Sequence, residues 1–130
     1  MTTPSIPAPL CQILQQQPDL AFAVLVGSRA TGTQRPDSDW DIALQWAPTV
    51  DAHSALGATE TLRRQLAHAL QQPQTAVDLI DLRRANLAMR ASVAEEGQAL
   101  HIANDLAWAQ FLERTWRELE QFEWEQRHAA

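Results

Sequence analysis

Ala21-Phe22-Ala23-Val24-Leu25-Val26-Gly27-Ser28-Arg29-Ala30-Thr31-Gly32, followed shortly by Ser38-Asp39-Trp40-Asp41, is the stretch that decides how this chain folds. Residues 21 to 26 are apolar without interruption, which suits a strand buried on both faces. The glycine that ends the run lets the backbone turn and come close to a ligand. Backbone N–H groups and the Ser28 hydroxyl beyond that turn are the materials of an anion cradle, and Arg29 adds positive charge nearby. Gly32, Pro36 and Asp37 carry the chain round into a second strand, Asp39 to Trp46.

That second strand alternates. Asp39, Asp41, Ala43 and Gln45 fall on one face, and Trp40, Ile42, Leu44 and Trp46 on the other. Carboxylates two positions apart on a strand project the same way, about 7 Å apart at the backbone. Such a pair can share hard cations such as Mg²⁺, which prefers oxygen ligands. Alone, Asp-x-Asp equally suits the solvated face of an edge strand. The Gly-Ser turn about a dozen residues upstream favours the metal reading.

Gly-Ser, a glycine soon after it, and Ser-Asp-x-Asp at this separation resemble the nucleotidyltransferase fold of the DNA polymerase β superfamily. The short chain resembles its minimal nucleotidyltransferase (MNT) branch. The motif covers residues 22 to 46, and the likeness extends more loosely over most of the chain. One departure is Thr31, which stands where many members carry a second arginine; Arg29 and Arg35 remain available for phosphate. The resemblance implies an α/β nucleotidyltransferase (DNA polymerase β-like) fold with a small mixed β-sheet flanked by helices. It implies ATP bound at Gly27, Ser28, Arg29, Arg35 and Ser38.

A third apolar strand, 76 to 82, carries Asp78 and Asp81. Their spacing sends them to opposite faces, so at most one joins Asp39 and Asp41. The resemblance selects Asp78, because the family's third carboxylate sits early in such a strand. Asp39, Asp41 and Asp78 are then both the metal ligands and the catalytic residues, holding two Mg²⁺ ions. Asp81 is left to cap a helix starting near Arg83.

The rest of the chain reads as follows. Pro4, Pro7 and Pro9 predict an irregular start, and a helix fits 9 to 17, ended by Pro18. Asp51 caps a helix running to about Gln72, stopped by Pro73. Within it, Arg63 and His68 match the Arg-x4-His spacing of HEPN ribonucleases by chance, and an exposed charge pair explains them better. A helix near 83 to 96 ends at Gly97 in a C′ position, and residues 99 to 102 form a short closing strand. A final helix, about 105 to 126 and capped by Asp105, carries Trp108, Phe111, Leu112, Leu119 and Phe122 in one stripe, with Trp116 on its shoulder and Trp124 outside it. Its first half suits the core. Its aromatic second half suits a partner-docking surface, with a helix folded wholly onto the domain as the alternative.

Composition narrows the function. The length of 130 residues suits a single domain. A net charge of −6 argues against a general nucleic-acid binder, and hence against polymerase activity. Cys11 is the one cysteine and forms no internal disulfide; the scattered histidines lack zinc-ligand spacing. No signal-peptide pattern or long apolar span occurs, so a soluble cytoplasmic protein without membrane contact is expected. P-loop and Rossmann glycine patterns are absent. The MNT resemblance implies an antitoxin that transfers AMP from ATP to a tyrosine hydroxyl of a cognate HEPN ribonuclease toxin, with which it forms a hetero-oligomer. Two other readings are an aminoglycoside-type adenylyltransferase, which usually has an added helical domain, and an antitoxin that acts by binding alone, which an intact set of three aspartates disfavours.

Overall fold

A computed structural model describes residues 6–129; Pro4, and with it the expected irregular start, lies outside them. The chain runs α1 (Ala8–Gln15), β1 (Leu20–Val26), the single turn α2 (Ser28–Thr31), β2 (Trp40–Trp46), α3 (Ala52–Leu70), β3 (Val77–Asp81), α4 (Leu87–Glu96), β4 (Gln98–Ile102) and α5 (Asp105–Arg127). The strands form one sheet in the order β3-β2-β1-β4. β1 is antiparallel to both neighbours, while β2 and β3 are parallel, so the sheet is mixed.

The apolar run of β1 explains its central place. All seven of its residues are buried, and their alternation divides the core in two. Ala23 and Leu25 face a cluster with Leu10 and Leu14 of α1 and Leu62 and Leu66 of α3. Phe22, Val24 and Val26 face a second cluster with Val93 of α4 and Phe111 of α5. Helices therefore cover both sides of the sheet, as two apolar sheet faces require. Asp51 caps α3 as its sequence position predicts, accepting from the Ser54 backbone N–H at 2.7 Å. Trp46 Nε1 donates to the buried Thr59 hydroxyl at 3.0 Å and pins α3 to β2. Arg63 also serves the sheet: it pairs with Glu60 and donates to the Val77 carbonyl on the edge strand, with no involvement of His68.

Two boundaries differ from the sequence reading, and a third holds for a different reason. Asp81 accepts from the Arg83 N–H at 3.0 Å and caps a short 3-10 turn, Leu82–Arg84, while α4 itself begins later under the Asn86 side chain. Gly97 ends α4, but its φ of −70° is not left-handed. It is needed for space instead, because a Cβ there would lie 2.4 Å from both Val24 Cγ1 and the Val93 carbonyl. The cap of α5 is Asn104, accepting from Ala107 N–H at 3.0 Å, and Asp105 sits in the first turn.

The first half of α5 packs on the sheet through Phe22, with Trp108 edge-on at 5.0 Å and Phe111 at 5.5 Å between ring centroids. Midway, the buried Arg90 of α4 pairs with Glu118. Beyond that point the helix leaves the core: Phe122 and Trp124 are about half exposed, at 49% and 51%. Among the described residues no helix is long and apolar enough to cross a membrane.

Candidate active site

Gly27 follows β1 directly and takes φ 72°, ψ −158°, a conformation that essentially only glycine adopts. Its carbonyl accepts from Ala30 and Thr31, closing the α2 turn, and Gly32 ends that turn at φ 80°. Thr31, at the departure from the family pattern, donates its hydroxyl to the Ser28 carbonyl at 3.3 Å. Thr31 therefore closes the turn from within. Residues 33 to 37 form an exposed excursion, tied at its end by a hydrogen bond of 2.8 Å from the Arg35 N–H to the Ser38 hydroxyl.

The chain then enters β2, and the register gathers the acids. Asp41 pairs with Val26 on one side and with Asp78 on the other. Asp39 lies two residues before Asp41, just outside β2, and its charge acts on Asp41. Since β2 and β3 are parallel and β1 runs against them, the starts of β2 and β3 and the end of β1 share one edge of the sheet. Gly27, Ser28, Asp39, Asp41 and Asp78 therefore assemble there. Asp81 pairs with Leu44, at the far end of β3, and forms a salt bridge with Arg83 at 3.6 Å.

Electrostatics mark Asp41 as the centre of the group. Burial raises its pKa above the ordinary aspartate range, the charges of Asp78 and Asp39 raise it further, and Arg29 opposes them. Three carboxylates that repel one another at a strand edge are a site short of positive charge. The donor set is oxygen only, which fits Mg²⁺, although among the described residues no three acidic, histidine or cysteine side chains already close around a common point.

Two features had no signal in the sequence pattern. Arg29 does not extend into open space: its Nε and Nη2 donate to the Ser38 carbonyl at 3.2 and 2.8 Å, and its guanidinium lies 4.2 Å from the centroid of the Trp40 ring. A groove of about 1080 Å³ also runs between α3 and α4 beside β3, with Leu56, Arg63, Leu79, Arg84 and Met89 in its walls.

The family model for polymerase beta, nucleotidyltransferase, matches residues 9–106, three quarters of the chain. This chain belongs to that family. The mixed sheet flanked by helices is the fold that membership implies. Among relatives of this chain, the protein adenylyltransferase MntA of Shewanella oneidensis is 39% identical over 83 residues, which is 64% of this chain and 55% of MntA. The chain thus matches about half the length of that curated relative. A solved toxin–antitoxin structure with AMP-PNP aligns over 92% of this chain and 90% of its own, at 29% identity and a TM-score of 0.70. The structure of the tri-AMPylated Shewanella oneidensis HEPN toxin in complex with MNT antitoxin aligns over 89% of this chain and 85% of its own, at 26% identity and a TM-score of 0.62.

Proposed function

We propose that this nucleotidyltransferase is an antitoxin that transfers AMP from ATP to a tyrosine hydroxyl of a cognate HEPN ribonuclease toxin. The observation that carries the reading is the register placing Asp41 beside Asp78, with Asp39 next to them and the Gly27-Ser28 turn alongside. The likeness to a protein adenylyltransferase and to toxin–antitoxin complexes supports the choice of reaction and partner.

In this mechanism the N–H groups of the Gly27-Ser28 turn bind the terminal phosphates of ATP. Asp39, Asp41 and Asp78 are the residues that would hold Mg²⁺, which would supply positive charge against the phosphate oxygens. The acceptor oxygen attacks the α-phosphorus in line, the bond to pyrophosphate breaks, and pyrophosphate departs. Asp78, exposed at the start of β3, takes the proton of the acceptor hydroxyl. No covalent bond to the protein forms. The acceptor must be held close to the α-phosphate, because positioning supplies much of the rate.

The test is co-expression with a small helical protein, bearing Arg-x4-His, from the neighbouring reading frame. The toxin should gain the mass of one or more AMP groups, and only when ATP and Mg²⁺ are present. A toxin that is bound and silenced without any gain in mass would overturn the enzymatic reading in favour of inhibition by binding.

A further inference from the structure

Arg29 lies on the phosphate-binding turn, yet both of its directed hydrogen bonds go to the other half of the site. Nε and Nη2 converge on one acceptor, the Ser38 carbonyl, at 3.2 and 2.8 Å. The face of the same guanidinium covers the Trp40 ring at 4.2 Å from its centroid. Ser38 and Trp40 are the two chain neighbours of Asp39. One side chain thus grips both sides of a carboxylate position without engaging that carboxylate.

The chain between the two halves cannot do this work. Residues 33 to 37 are all exposed, and the bonds between Arg35 and Ser38 close only a local turn. Trp40, by contrast, is 8% exposed and anchored in the core beneath β2. A guanidinium stacked on a fixed indole with two donors on one carbonyl is a rigid tie. A lysine ammonium at that position would keep the charge but could not stack and donate in the same geometry.

We propose that Arg29 is a positioning residue, which fixes Asp39, just outside the β1–β2 ladder, relative to the Gly27-Ser28 turn and so sets the orientation of the α-phosphate. The proposal deepens the nucleotidyl-transfer reading and rests on it for its kinetic arm. A residue that binds phosphate stabilises bound ATP, and its loss raises KM. A residue that aligns the turn with the carboxylates acts on the chemical step, and its loss lowers kcat.

The experiment compares Arg29→Ala, Arg29→Lys and Trp40→Phe in the full chain. It measures AMP transfer kinetics, AMP-PNP binding by calorimetry, and amide hydrogen exchange of the free protein. Both Arg29 variants should lose about 10- to 100-fold in kcat, the scale of a small misplacement of reacting groups. AMP-PNP affinity and KM for ATP should shift by less than about threefold. Exchange should accelerate across residues 33 to 39 while the amides of β1 keep their protection. The proposal is overturned if Arg29→Ala weakens AMP-PNP binding tenfold or more (about 1.4 kcal/mol) with kcat retained and Arg29→Lys restores it, since charge alone would then suffice. If Arg29→Ala does not fold, Trp40→Phe decides: faster exchange at 33 to 39 with a reduced kcat supports the clamp, and unchanged exchange overturns it. A protein that transfers no AMP at all would refute the proposed function and leave the exchange measurement to judge the clamp by itself.

Discussion

Asp41 Oδ2 occupies the space where Gly27 would carry a side chain: a Cβ on Gly27 would lie 2.3 Å from it. The Gly27-Ser28 turn and the carboxylate strand can touch only because residue 27 has none. Its backbone, at φ 72°, adds a second reason for glycine. Gly27→Ala is therefore expected to displace Asp41 and to destabilise the fold by about 1–3 kcal/mol. Denaturant unfolding measures the second effect, and AMP transfer by the folded fraction should fall to background.

Asp41 is held against its own ionisation. Burial and the charges of Asp78 and Asp39 raise its pKa, so the native state holds that proton more tightly than the unfolded chain does. Stability is thus lost as pH rises from the ordinary aspartate range through the raised native value. Asp41→Asn should then melt higher than the parent at pH 7 without Mg²⁺, and this advantage should vanish in strong acid, where both are uncharged at that position. Transfer should be lost in the same variant. Thermal melts at the two pH values check the first claim, and labelled ATP checks the second.

Asp78 and Asp81 should separate cleanly. Asp78→Ala is expected to lower kcat by about 10²- to 10⁴-fold, the usual contribution of a positioned acid–base group, with the melting temperature little changed. Asp81→Ala should keep transfer and lose about 1 kcal/mol of stability with the hydrogen bond to the Arg83 N–H. The reverse pattern would show that β3 works in a different register.

The two halves of α5 should also behave differently. Phe111 is 9% exposed and packs on Phe22 and Trp108, so Phe111→Ala should cost about 3–5 kcal/mol of stability. Trp116→Ala and Phe122→Ala remove exposed rings. Each should leave the melt unchanged and weaken co-purification with the toxin by about 2 kcal/mol or more. A melt lowered as far as that of Phe111→Ala would place these rings in the core.

The elements themselves were legible because the apolar patterning is strong: β1 is a continuous apolar run, β2 alternates, and Pro18 and Pro73 punctuate α1 and α3. Strand alternation pairs Asp39 with Asp41 and allows only one of Asp78 and Asp81 beside them; the choice of Asp78 comes from the family resemblance, not from the spacing. Capping was less legible. Asp81, Asn86, Asn104 and Asp105 are all competent caps by type, and which one serves depends on where the chain leaves the sheet. Gly97 ends α4 as the sequence predicts, but its requirement comes from Val24, far away in the sequence. The contacts of Arg29 were hidden for the same reason: a guanidinium choosing between a phosphate and a carbonyl is decided by the distance across the turn, which spacing does not encode.

The central position of β1 has a kinetic consequence. Val24 pairs with Ala43 and with Ala99, so one edge of the most apolar strand finds its neighbour early and the other waits for nearly the whole domain. A nascent chain emerging from the ribosome would hold β1 with one edge bare until β4 arrives, and such edges invite association with other chains. Pairing across so long a span also slows folding. The yield of native protein is then expected to fall as its concentration during synthesis rises.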